Sequence, residues 1–185
     1  MRRILDGVYR LSGGLAAAFL CLILVTVLAQ VSLNITDKIA EMVSGQPVGL
    51  LIPSYADFAG YFLAAATFFA LASSFRHGAH IRVTLFLLRL PSRIRQVCEL
   101  WSVAVALALS AYFTWYMVRL TYDSWRFHDL SPGLVPIPIW IPQAAMVAGL
   151  FVLTLAAGDA LLSLLRGGTP PYMAQDAELA QIMEE

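Results

Sequence analysis

RHGAHIRVTLFLLRLPSRIR, residues 76–95, holds five of the chain's twelve basic residues and two of its three histidines. Uncharged runs lie on both sides, residues 58–75 before it and 100–118 after it, so the stretch is a charged connection between two apolar segments. Only 13% of the 185 residues are charged and 59% are hydrophobic, against about 25% charged in soluble domains. A globule of this composition has too few charges to present a water-facing shell. Lipid must be the solvent for much of its surface. The formal net charge of zero argues against a nucleic-acid partner, and the clustered arginines read as a topology signal instead.

A hydrocarbon core about 30 Å thick takes about 20 helical residues to cross. Residues 11–36 contain no charge, which places a first span near 11–32. The second lies near 55–75 and the third near 100–118, ending at Arg119. A fourth apolar region is interrupted by Pro132, Pro136, Pro138 and Pro142. Proline fits the first turn of a helix and not its interior. The fourth span is therefore expected near 141–165, after an extended connector SPGLVPIPIW half-buried at the interface. These spans form a single membrane domain over 1–185 that ends in a polar, acidic tail at 167–185. Arg2 and Arg3 ahead of an apolar run resemble a secretory leader. The uncharged run, however, outlasts an h-region of about 7–15 residues, and three further spans follow it.

Orientation follows from the arginines and lysines of the short loops. With a cytoplasmic N-terminus, that side collects Arg2, Arg3, Arg10, Arg76, Arg82, Arg89, Arg93, Arg95 and Arg166, nine residues. The opposite side collects three, Lys38, Arg119 and Arg126. Both termini and the central segment are expected on the cytoplasmic side of the membrane.

Within the central segment, residues 81–90 are too short to span yet strongly apolar. On a helical wheel Arg82, Arg89 and Arg93 fall within about 40° of one another. That pattern predicts an amphipathic helix lying in the cytoplasmic interface, its arginines turned to headgroups or to a partner. The fold class is thus an all-α integral membrane protein of four transmembrane helices, with a cytoplasmic interfacial amphipathic helix between the second and third. His77, His80 and His128 sit at span ends, with His128 on the far side, which is the wrong placement for a haem between helices. Cys21 and Cys98 have no metal spacing and differ too much in depth for a disulfide. No catalytic, cofactor or metal site is expected.

The motif Arg76-His77-Gly78-Ala79-His80-Ile81-Arg82-Val83, following Phe62-Leu63-Ala64-Ala65-Ala66, resembles a known family. It is similar to the small membrane subunit (the Q component, DctQ-like) of tripartite ATP-independent periplasmic (TRAP) transporters. Members have four spans, both ends cytoplasmic, a Gly-x-His-Ile/Val-Arg-Val-like close to the second span, and a proline- and tryptophan-bearing entry to the last. Pro138-Ile139-Trp140-Ile141-Pro142 matches that entry, and the likeness runs roughly from Val8 to Leu165. The chain departs from the pattern at Thr84, where an acidic residue is usual, and at Val147, where a proline is often seen. The acidic position leading into the second span is Asp57.

The resemblance implies a large membrane permease subunit that binds substrate and sodium, and a periplasmic substrate-binding protein. It implies uptake of organic acids by symport with an ion gradient, in which the small subunit is a non-enzymatic scaffold. Asp57, Arg76, His80, Arg82, Arg89 and Arg93 are the candidate partner or lipid interface. The residues agree with a scaffold: Asp57, Glu99 and Asp159 lie near span ends, and the span centres hold only isolated hydroxyls at Thr26, Thr67, Ser110 and Thr114. A buried charge in a membrane is kept only for use, and none marks a pore. Small residues suited to helix packing recur at Ala64–Ala66, at Ala104, Ala108 and Ala111, and at Ala145 and Gly149. Tyr112, Trp115, Tyr116, Tyr122 and Trp125 read as an outer aromatic belt. The alternative is a haem- or quinone-associated membrane anchor of a respiratory enzyme, which visible absorbance of the purified protein distinguishes.

Overall fold

A computed structural model of the chain describes residues 2–76 and 91–167. Its regular elements are four helices, α1 (Arg2–Ser44), α2 (Tyr55–Arg76), α3 (Ser92–Phe127) and α4 (Trp140–Leu165). Each is long and apolar enough to cross a membrane. The protein is the all-α, four-span membrane protein that its composition predicts. The interfacial helix expected at 81–90 and the tail from 168 onward lie outside the described residues.

Two helices outrun the spans read from hydropathy. α1 continues past residue 32 to Ser44, and α3 continues past Arg119 to Phe127. Neither extension contains proline or glycine, and charge ends a span without ending a helix. The observed stops are backbone stops. Gly45 takes a left-handed φ of 74° after α1. His128 does the same at 56°, its N–H donating to the Ser124 carbonyl. α4 begins at Trp140 with Pro142 in its first turn, where a missing N–H costs nothing. The connector before it is not simply extended. Ser131 N–H donates to the Ile137 carbonyl at 2.8 Å and Ile139 N–H to the Asp129 carbonyl at 3.0 Å, closing a small hairpin.

The helices form a row in the order α1, α2, α4, α3, with α1 touching α4 only slightly. Small residues make each seam. Between α1 and α2, the buried Ser12 hydroxyl donates to the Phe69 carbonyl at 2.6 Å, Gly13 faces Ser73, and Ala16 packs with Ala65 and Phe69. Between α2 and α4, a Cβ on Gly149 would lie 2.5 Å from the Phe68 carbonyl carbon, so the two backbones touch there. Between α4 and α3, the Thr114 and Thr154 hydroxyls bond at 3.0 Å. Tyr9, Ala72, Val103, Ala156, Ala157 and Ala160 fill the core toward the Arg76 end. In lipid such close approach stabilises through van der Waals contact, since burial from lipid gives little hydrophobic gain.

Cross-helix contacts also fix relative depth. Gln30, two-thirds of the way along α1, holds the lead-in to α2, its Oε1 accepting from Ile52 N–H at 2.8 Å. α1 therefore overhangs by fourteen residues, from Gln30 to Ser44, or roughly 20 Å at 1.5 Å per residue. The chain folds back along this overhang, and Gly49 N–H donates to Asp37 at 2.7 Å.

Candidate partner-facing surfaces

At the outer end, by the orientation the arginines suggest, Ser54 organises the entry to α2. Its backbone is left-handed at φ 58°, and its carbonyl accepts from Asp57 and Phe58 N–H at 3.0 and 3.1 Å. Its hydroxyl accepts from Val135 N–H at 3.0 Å, which ties the α3–α4 hairpin to α2. Asp57 lies half-buried in the first turn of α2, where a carboxylate is favoured by the helix dipole. Its carboxylate presses against Gly133, filling the place a Cβ would take. The acidic position flagged in the sequence is thus built into the junction of two elements.

The remaining candidates are placed less fully. Arg76 is the last residue of α2, and Arg93 lies in the first turn of α3. His80, Arg82 and Arg89 lie outside the described residues. His128 is exposed at the end of α3. Cys21 and Cys98 are free and exposed. Among the described residues no group of three His, Cys, Asp or Glu side chains is placed to hold a metal ion.

Hydroxyls at the span centres are engaged locally. Thr26, Thr67 and Ser110 each donate to a carbonyl of their own helix. Thr114 does so as well while bonding Thr154. Glu99 is buried and has a partner. Gln143 Oε1 is buried in the first turn of α4 without a hydrogen-bond partner among the described residues. A groove of about 490 Å³ opens between α2 and α3 over α4. Phe68, Phe75, Leu109, Phe113, Met117 and Leu153 line it, and its one polar lining residue is Ser110. Such a surface suits an acyl chain or an apolar side chain, not a charged solute.

The aromatics read in the sequence as an outer belt extend along an α3 face turned away from the bundle, an extent that reading missed. Trp101, Tyr112, Trp115 and Tyr116 are exposed along this face and Tyr122 at its border, as are Arg119, Asp123 and Arg126, while Trp125 turns toward a groove beside Trp140 and Val147. The signal was present as a run without helix breakers from Ser92 to His128, which hydropathy cut short at Arg119.

Comparison with known proteins gives one family. The model described as "Tripartite ATP-independent periplasmic transporters, DctQ component" matches residues 43–167, from the C-terminal tip of α1 through α4. Among curated proteins and solved structures, none matches the chain.

Proposed function

This chain belongs to the DctQ component family of tripartite ATP-independent periplasmic transporters, and on that footing we propose that it scaffolds the large permease subunit of an ion-gradient-driven uptake system for organic acids. As a small permease subunit it is a transporter component of the inner membrane that works with a large permease and a substrate-binding protein. The scaffold role rests on one observation. The hydroxyls at the span centres bond to helix carbonyls or to each other, and the groove that opens between helices is apolar. Solute and sodium are then bound by the large subunit, and this chain supplies a rigid neighbour. The arginine distribution supports cytoplasmic termini. It also supports Arg76, Arg82, Arg89 and Arg93, with His80, as the cytoplasmic contact to partner or headgroups, and Asp57 as an outer one. Family membership disfavours the respiratory-anchor reading.

Reconstitution tests the proposal. Liposomes holding this chain alone are expected to take up no solute when a sodium gradient and binding protein are supplied. Liposomes with the large subunit as well are expected to show uptake, and Arg89→Glu is expected to lower both that uptake and co-purification. Transport by the chain alone would refute the scaffold role, and full activity of Arg89→Glu would remove the cytoplasmic contact from it.

A further inference from the structure

Arg119 lies deep along the bundle. The Thr114–Thr154 bond, the approach of Leu107 to Gly158 and the contact of Val118 and Thr121 with the region of Val147 set α3 antiparallel to α4. This register puts Arg119 level with Met146–Gly149, and Gly149 itself touches Phe68 near the middle of α2. From that level to Trp140, the outer end of α4, is six to nine residues, or roughly 9–13 Å of helix. In a hydrocarbon layer about 30 Å thick that is a third to nearly half of the way in.

Arg119 also points outward. Ser110, Thr114, Met117 and Thr121 mark the side of α3 turned to the bundle. At 100° per residue Arg119 stands about 170° from their mean direction, and it is exposed. Snorkelling to the near surface is hindered by geometry. Helical side chains lean toward the helix N-terminus, which for α3 is toward the membrane centre and away from the Trp140 end. A charge at such depth belongs against protein or water, not acyl chains.

The rest of the face has the composition of a protein contact. Trp115 is 64% exposed and Tyr122 55%, and Tyr, Trp and Arg are the residues over-represented where partners bind tightly. From Tyr112 to Tyr122 the aromatics cover roughly 15 Å of helix, too great a depth for a belt at headgroup level. Below them on the same side, Ala108 and Ala111 are exposed and Ala104 is half-exposed, leaving room for a second helix to come close.

We propose that this face of α3 is the seat of a helix of the large permease subunit, with an acidic side chain of that helix pairing with Arg119 inside the membrane. The inference rests on the scaffold reading and assigns the surface on which it operates. The net positive charge of Arg119, Asp123 and Arg126 selects an acidic partner position, and the exposed alanines select a close-packed one.

The test uses the full complex, recovered through a tag on the large subunit. A photo-crosslinking p-benzoylphenylalanine at Trp115 or Tyr122 is expected to join the two subunits covalently. Arg119→Leu is expected to reduce the recovered complex about tenfold or more, the scale for breaking a buried charge pair. The same variant expressed alone is expected to insert at wild-type yield or better, because leucine favours the bilayer. Suppose the wild-type complex is recovered, the crosslinks go to lipid or to a second copy of this chain, and Arg119→Leu is neutral. The face is then not the large-subunit seat, and the scaffold reading survives without it. Failure of the wild-type chain to bind any large subunit would overturn both.

Discussion

At the scale of single residues, the fold depends on places where nothing larger fits. Gly149 is the sharpest of these, because a Cβ there would meet the Phe68 carbonyl carbon and oxygen at 2.5 and 2.6 Å. Those are backbone atoms of a helix and cannot rotate aside. Gly149→Ala is expected to separate α2 from α4 and lower stability by about 1–3 kcal/mol, the usual cost of overpacking. Unfolding of the purified protein in mixed detergent micelles measures this. Gly14 makes a useful control: it is exposed and a Cβ there meets nothing within 4 Å, so Gly14→Ala should be neutral or slightly stabilising, as helix propensity favours alanine. The pairing of Ala145 with Gly149 was legible as a small-residue spacing. That Gly149 meets backbone was not, since spacing alone does not say which helix faces it.

At the scale of elements, hydropathy located the four helices and proline placed the start of the last. Lengths were less legible. Residues 33–44 and 119–127 mix charges with apolar groups, and a window that searches for lipid-compatible sequence rejects them although nothing there breaks a helix. The small-residue stripes were visible as patterns but not as contacts. Ala65 and Ala66 are buried inside the bundle, whereas Ala108 and Ala111 face away from it. The α3–α4 seam shows how weakly such elements are joined by polar bonds. The two hydroxyl protons serve three contacts, because the Ser110 and Leu150 carbonyls of their own helices compete with the Thr114–Thr154 bond for them. A double-mutant cycle of Thr114→Val and Thr154→Val should therefore give a coupling near 0.6 kcal/mol, the average for such bonds in membrane helices. A coupling several times larger would mean that the hydroxyl pair, not the alanine packing around it, holds the seam.

At the scale of the whole molecule, a row of helices has two broad sides and two edges, and most of its apolar surface faces outward. Exposed side chains such as Leu24, Leu28, Val31 and Phe151 are ordinary for a protein solvated by lipid. The α3 face is different because it mixes charge with aromatics, which is why it, and not the apolar groove, is assigned to a partner. The charge count read from the sequence gives an orientation, and the overhang of α1 makes that orientation measurable by a simple chemical reaction. Lys38 is the chain's single lysine, and it stands exposed on that overhang, beyond the level where Gln30 holds the lead-in to α2. A membrane-impermeant amine reagent thus has one lysine to find. Spheroplasts should acquire the label at Lys38 and lose it in Lys38→Arg, while inverted vesicles should leave that lysine untouched. The reverse pattern would turn the molecule over. The same dye, once attached, is a single fluorophore on a stiff helix, and its anisotropy would report the arrival of a binding protein from that side.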